Sequence, residues 1–424
     1  MAELIRTDLD SVPLRAILVT ADTGEFDAEL SLDELEELAN TAGAETVARV
    51  IQKRPSPDTA TYIGSGRLAE LVPQIEALGA ELLIFDCELT ANQTRNIEAV
   101  TDIRVIDRTT LILDIFAQRA ISGEGRIQVE LAQQKYRLAH LAGKGAALSR
   151  LGGGIGTRGP GETKLETDRR HIRKRIEVLE ADLKEIRKHR ELIRNRRKKD
   201  SVITAAVVGY TNVGKSTLLN ALTDAGVLAE DKLFATLDIT TRAIELPDGR
   251  SVLLADTVGL IRRLPHHLVE AFKSTLEEAA NADIIINIID ISSEDAYGQS
   301  KVTEELLSEL GCDGIPRINV LNKCDKLIGA ENIPEDSTTV KISAKQKKGF
   351  EKLLKCIADN LPSASTRGFF TIPYDKTALI SRIREEGKIF SEDYSAEGTV
   401  IDALIDNKIM YLFEEYRTPV NEGE

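Results

Sequence analysis

Short β-rich apolar runs alternate with stretches of helical period over the first ~110 residues, the pattern of a small α/β domain. Ala16 to Thr20, Thr46 to Gln52, Glu81 to Phe85 and Ile103 to Ile106 read as strands, with helices at Ser31 to Ala42 and Arg67 to Leu78 between them. Ser31 is placed to cap the first helix, and Glu34, three residues on, gives capping-box spacing. Strands separated by helices favour a parallel sheet.

From Thr110 to Leu141 the pattern is helical, and again from Lys164 to Lys198. In the second helix Ile172, Ile176, Leu179, Leu183, Ile186 and Ile193 form a narrow apolar stripe, broken only by Arg190. Such a stripe suits an antiparallel partner, so the two helices are expected to pair as a coiled-coil hairpin. Its tip, Gly143 to Thr163, holds eight glycines, Pro160, Lys144, Arg150 and Arg158. It cannot pack a core; it permits close backbone approach to a ligand or a nucleic acid, with a plain flexible connector as the alternative.

An apolar strand from Val202 to Val208 opens a new domain, which runs to a Pro/Ser/Thr-rich linker ending at Thr366. The tail offers β-like runs at Phe369 to Ile372 and Gly398 to Ala403, and helices at Lys376 to Glu386 and Lys408 to Tyr416. The expected fold class is therefore α/β and multidomain. An N-terminal α/β domain (1–109) is followed by the hairpin (110–199), a strand-loop-helix domain (200–362) and a small α+β C-terminal domain (363–424).

Composition adds exclusions. No apolar run in the 424 residues approaches the ~18–20 that a bilayer span needs. An integral membrane segment is not expected, which leaves peripheral attachment open. Met1 to Asp10 is acidic and polar, unlike a signal peptide, and predicts a cytoplasmic protein. Four cysteines without C-x-x-C spacing predict buried small hydrophobes, not a zinc site or a disulfide framework. The net charge of −14 hides a basic segment: residues 119–199 hold 22 Lys and Arg against 10 Asp and Glu. Cations concentrated in an acidic chain point to local contact with a polyanion, with a solvated helical hairpin as the plain alternative.

The chemistry follows the Val202 to Val208 strand. Gly209-Tyr210-Thr211-Asn212-Val213-Gly214-Lys215-Ser216-Thr217 and the apolar helix after it form a phosphate-binding loop in its required strand-loop-helix context. Backbone amides and the helix N-terminus would hold phosphate oxygens, Lys215 would offset β/γ charge, and the Ser216 hydroxyl would meet Mg²⁺. Asp256-Thr257-Val258-Gly259 follows an apolar run, its Asp placed for the Mg²⁺ shell and its Gly amide for the γ-phosphate. Asn322-Lys323-Cys324-Asp325 places a carboxylate to accept from two guanine N–H groups that adenine lacks. Ser343-Ala344-Lys345 could supply an amide to the guanine oxygen. Together these motifs indicate GTP and GDP as ligands, and the domain resembles the Ras-like GTPases.

Between the first two motifs lies Phe234-Ala235-Thr236-Leu237-Asp238, where a threonine should close on Mg²⁺ and the γ-phosphate. Thr236 is the choice, with Thr240 and Thr241 as close competitors that spacing alone does not separate. Lys215, Thr236 and Gly259 are thus the catalytic candidates, and Ser216 and Thr236 the metal ligands. Leu260 stands where a Ras-like enzyme carries a water-orienting glutamine. An aliphatic side chain cannot do that work, so slow intrinsic hydrolysis is expected, with a partner or a rearranged loop completing the site. His266 and His267 could polarise water or simply face solvent. Asn212 resembles the position that ligates a monovalent cation in potassium-activated GTPases, which makes K⁺ a second candidate cofactor; a loop-stabilising amide is the alternative.

The run from Arg150 through Gly161-Glu162 to Asp168-Arg169-Arg170, followed by Phe234-Ala-Thr-Leu-Asp238, resembles the HflX family. Tyr62-Ile-Gly64-Ser-Gly66-Arg67 and Phe85-Asp86 through Arg95-Asn96 extend the likeness into the first domain. The resemblance implies a GTPase that binds the large ribosomal subunit and its RNA, inserts the hairpin tip near the peptidyl-transferase region and splits stalled ribosomes. It makes Thr236 the Mg²⁺-binding threonine and accepts a hydrophobic residue at 260. The RNA contacts are then Lys144, Arg150, Arg158, Arg169 and Arg170. Leu260 replaces the phenylalanine of most relatives, and Ile239 their usual proline. Two rival functions share these residues: a GTP-dependent ribosome assembly factor, and an RNA-unwinding protein with ATPase activity in the N-terminal domain. For the latter, the Gly64-Ser-Gly66 turn is too short to read as a nucleotide motif.

Overall fold

In the computed structural model the described residues are 13–148, 160–199, 202–223, 233–234, 240–263, 265, 268, 278–327, 329, 332–361 and 365–418. By contacts the chain divides into two bodies. One comprises Met1–Glu191 with Glu230–Asp238 and Val258–Leu276; the other comprises Leu192–Ala229, Ile239–Thr257 and Glu277–Glu424.

In the first body β1 (Leu14–Asp22), β2 (Ala44–Lys53), β3 (Leu82–Phe85) and β4 (Arg104–Asp107) form an all-parallel sheet in the order β2-β1-β3-β4. Helices α1 (Ala28–Thr41), α2 (Ser65–Leu78) and α3 (Ala91–Thr101) make the crossovers. Helices between strands bury both faces of the sheet, which is why β3 is apolar at every position and wholly buried. Ile17, Val19, Leu83, Phe85, Ile63 and Leu71 anchor one core cluster. The α1 cap is Asp27, whose carboxylate accepts from the Leu30 amide at 3.1 Å, not Ser31. Ser31 lies a turn inside the helix, and its hydroxyl donates instead to Asp86 at 2.5 Å.

The helix expected over 110–141 is two helices, α4 (Arg108–Arg119) and α5 (Gly123–Leu148). The break falls at Ala120 to Ser122, where the Ser122 hydroxyl accepts from the Gly125 amide at 2.9 Å and starts α5 afresh. Helix α6 (Pro160–Lys199) pairs with α5 through Leu131, Leu179 and Leu183, flanked by Ile127 and Ile176. Arg175–Glu130 (2.6 Å), Lys135–Glu180 (2.9 Å) and an Arg190–Glu124 pair lace the seam. Arg190, the polar break in the stripe, thus has an acidic partner. Ile193, at the far end of the stripe, is exposed. Both helices run into the Gly143 to Thr163 segment, of which residues 149–159 lie outside the described residues.

In the second body a six-stranded sheet has the order β10-β9-β8-β5-β7-β6, parallel except for β6 against β7. Its strands are β5 (Ile203–Gly209), β6 (Thr241–Glu245), β7 (Ser251–Asp256), β8 (Ile284–Asp290), β9 (Arg317–Asn322) and β10 (Thr339–Lys341). Helices α7 (Lys215–Thr223), α8 (Ala296–Glu309) and α9 (Phe350–Asn360) pack on it. The tail forms an antiparallel sheet, β12-β13-β11-β14, from β11 (Ser365–Ile372), β12 (Gly387–Tyr394), β13 (Thr399–Asp406) and β14 (Arg417–Thr418). With α10 (Thr377–Glu386) it encloses Phe370, Ile380, Ile383, Ile401, Ile405 and Phe413. The expected final helix is only α11 (Asn407–Met410), followed by a separate 3-10 turn at Glu414–Tyr416. Phe390 of β12 fills the space over Gly249, where a Cβ would meet its ring at 2.2 Å.

Cys312 and Cys356 are buried, as expected of small hydrophobes, whereas Cys87 and Cys324 are half-buried; all four are free thiols. No helix among the described residues is long and apolar enough to cross a membrane.

Candidate nucleotide site

Strand β5 delivers the loop at residues 209–214 to the N-terminus of α7, and glycine is required at both ends of the loop. Gly209 (φ +150°) passes so close to β8 that a Cβ would meet the Ile288 carbonyl oxygen at 2.4 Å. Gly214 (φ +96°) would strike the Asn322 amide nitrogen at the same distance. Asn212, at φ +59°, takes the left-handed conformation that asparagine tolerates best among residues with side chains. The Lys215 ammonium lies buried under the loop and donates to the carbonyls of Gly209 (3.0 Å) and Tyr210 (2.6 Å). Burial lowers its pKa to about 8, with Asp256 acting in the opposite direction. A buried cation whose hydrogen bonds, among the described residues, go to two carbonyl oxygens is poised for a phosphate.

Ser216 lies in the first turn of α7 and Asp256 closes β7, and the serine hydroxyl donates to the carboxylate at 3.4 Å. These hard oxygen donors fit Mg²⁺, which characteristically takes one or two protein oxygens and completes its shell with water and phosphate. Thr257 donates to the Val207 carbonyl (2.8 Å) and so ties β7 to β5 below the loop.

The Asn322-Lys323-Cys324-Asp325 and Ser343-Ala344-Lys345 motifs sit at the C-terminal end of β9 and after β10. Asn322 is buried and bridges two loops, its amide donating to the Val213 carbonyl (2.7 Å) and its oxygen accepting from the Ala344 amide (3.0 Å). That engages the Ala344 N–H with the protein's own framework rather than leaving it for a base oxygen. Asp325 accepts the Ser343 hydroxyl at 2.5 Å, a bond that holds its carboxyl below the usual range and orients it. The Lys323 ammonium pairs with Asp290 at 2.7 Å.

The structure therefore brings together, in the second body, Gly209 to Thr217, Asp256, Thr257, Asn322, Lys323, Asp325 and Ser343 to Lys345. Phe234, Val258 and Gly259 belong to the first body. Phe234 is buried there, 4.6 Å from the Phe116 ring of α4. Ala235, Thr236, Leu237 and Asp238, with the histidines at 266 and 267, lie outside the described residues, as do Arg150, Arg158 and the side chain of Lys144. Arg169 is half-buried and Arg170 exposed on α6.

Residues 29–117 match the family described as GTP-binding GTPase N-terminal, 119–197 the GTP-binding GTPase Middle Region, and 204–323 the 50S ribosome-binding GTPase. A GTPase HflX of Caldanaerobacter subterraneus subsp. tengcongensis is 52% identical over 396 residues, 93% of this chain and 92% of the relative. The chain belongs to the HflX family. The HflX of Lacrimispora saccharolytica is 48% identical over the full length of both chains, and that of Escherichia coli 40% over 87% of this chain and 88% of its own. A GTP-binding protein of Sulfolobus solfataricus solved with GDP shares 26% identity over 82% of this chain and 98% of its own, with a TM-score of 0.43. As an HflX chain with this GTP-binding domain, the protein is a GTP hydrolase.

One charged group escaped the sequence reading. Asp86, Arg108, Ser31 and Glu34 converge in the first body around Arg263 and the Arg262 carbonyl. The available signal was a carboxylate placed directly after the wholly apolar β3.

Proposed function

We propose that this GTPase binds the large ribosomal subunit through its N-terminal region and basic hairpin tip, and separates stalled or idle ribosomes while GTP is bound. The observation that carries the reading is the pairing, in one chain, of the phosphate-loop and Asn322-Lys323-Cys324-Asp325 motifs with a segment of local net charge +12 over residues 119–199. The match of residues 204–323 to a 50S ribosome-binding GTPase family supports the choice of partner.

In this reading the loop amides and Lys215 hold the β/γ-phosphates, and Asp325, oriented by Ser343, accepts from guanine. Ser216 and Thr236 hold Mg²⁺, which when bound neutralises charge developing on the phosphates. The Gly259 amide reports the γ-phosphate. Leu260 is buried and aliphatic, so it excludes bulk water without orienting an attacking one; intrinsic hydrolysis is slow and the subunit accelerates it. Lys144, Arg150, Arg158, Arg169 and Arg170 bind RNA phosphates, and K⁺ near Asn212 would add positive charge at the β/γ bridge. The protein works in the cytoplasm, where ribosomes are.

Sedimentation of intact ribosomes with the protein and a non-hydrolysable GTP analogue tests this. Release of subunits is the expected result. Binding confined to immature subunits would replace splitting with an assembly role.

A further inference from the structure

Strand β6 stands at the edge of the second body's sheet, and Ile244 is its one buried position. Its hold therefore comes largely from the ladder with β7, which runs from Thr241 opposite Ala255 to Glu245 opposite Ser251. In the turn that joins the two strands, the amides of Leu246 and Gly249 donate to the carbonyls of Arg250 (2.8 Å) and Leu246 (2.9 Å), and Gly249 takes φ +84°. The tail grips this turn. Strand β12 slips register against β13 between Ile389 and Ser391, which leaves Phe390 as the extra residue of a bulge, and its ring lies against Gly249 where a Cβ would stand. The Arg367 guanidinium stacks on that ring at 4.1 Å and is itself fixed by Asp402 (2.7 and 3.0 Å). Lys388 pairs with Glu245 of β6 and reaches the Gly249 carbonyl at 3.5 Å. Arg250 donates to Asp248 (2.7 Å) and to the Ala358 carbonyl of α9. Phe390 takes no part in the tail's own core around Phe370, Ile383, Ile401 and Phe413. The other end of the same hairpin belongs to the nucleotide site. There the Asp256 amide donates to the Thr240 carbonyl (2.9 Å), and the Asp256 carboxylate accepts from Ser216.

We propose that the C-terminal domain braces the β6–β7 hairpin, with Phe390 as a positioning residue that, through this hairpin, fixes Asp256 for Mg²⁺ and so sets how firmly nucleotide is kept. An edge strand with one buried side chain opens locally at small cost, and each opening breaks the ladder that ends at Asp256. Packing an aromatic ring on the turn raises that cost. Metal binding and tail docking then favour the same closed hairpin, so each strengthens the other. The inference rests on the reading of Ser216 and Asp256 as the Mg²⁺ end of the site.

GDP release from the full chain, followed across an Mg²⁺ titration and in EDTA, tests the brace, with hydrogen exchange as a second readout. Phe390→Ala should raise the Mg²⁺ concentration needed to retain GDP about fivefold, and leave GDP affinity in EDTA unchanged within about twofold. Exchange should quicken at residues 241–256 and stay as it was at 399–406, the strand at the centre of the tail. Phe390→Leu keeps an apolar side chain over Gly249 and should recover most of the retention. Glu245→Lys sets a like charge against Lys388 from the hairpin side, leaves the tail's core untouched, and should shift the Mg²⁺ requirement in the same direction. If these variants leave that requirement unchanged, or weaken GDP equally with and without Mg²⁺, the brace is wrong while the nucleotide site stands. If the unsubstituted protein keeps GDP equally well without Mg²⁺, the metal reading falls and the brace with it.

Discussion

An ammonium group as deeply buried as that of Lys215 gives up hydration for two carbonyl contacts, and only a phosphate would make good the loss. Lys215→Ala should therefore weaken GTP by at least about a hundredfold, roughly the value of two charge-assisted hydrogen bonds, in an equilibrium titration. The lowered pKa, about 8, gives a pH signature. Without nucleotide, the folded protein binds fewer protons at this lysine than the unfolded chain between pH 8 and the ordinary lysine value, so this residue's contribution to stability rises with pH across that window. Bound phosphate favours the charged form. GTP binding above pH 8 should thus take up protons, and affinity should fall as pH rises, as calorimetry in buffers of different ionisation enthalpy would show. Ser343→Ala removes the bond that orients and acidifies Asp325. Competition binding should show a preference for guanine over adenine nucleotides reduced by about tenfold, the worth of one hydrogen bond to a charged group. These residues were legible because each lies in a contiguous string with its own spacing. The Asp86 group was not, because Ser31, Glu34, Asp86, Arg108 and Arg263 are scattered over 233 positions and only the fold gathers them.

At the scale of elements, what could be read from sequence were the strands and helices with a buried face. The four strands of the first sheet carry that signal, and so do the seam residues Leu179 and Leu183. Edge strands do not: β6 buries only Ile244, and β12 alternates without a fully buried position. Ser31 looked like a cap because its spacing to Glu34 is right, yet Asp27 starts the helix a turn earlier, leaving Ser31 to bond Asp86 and Glu34 to pair with Arg108. The α4–α5 break was masked by continuous helical periodicity, although Ser122 and the glycines after it at 123 and 125 signal a new helix. For the hairpin, Leu179→Ala leaves a cavity at the centre of the α5–α6 seam and should cost about 2–4 kcal/mol there. The expected readout is faster hydrogen exchange confined to α5 and α6, with GTP affinity unchanged.

For the whole molecule, the acidic chain concentrates its cations in the hairpin, and its GTPase lacks a water-orienting residue at position 260. The two features answer one another if docking of the hairpin on RNA completes the catalytic site. GTP hydrolysis measured with and without purified large ribosomal subunits, for the unsubstituted protein and for Arg150→Ala/Arg158→Ala, is the most direct test. Strong stimulation by the subunits is expected, removed by the double substitution with free GTP binding intact. Hydrolysis indifferent to the subunits would contradict it.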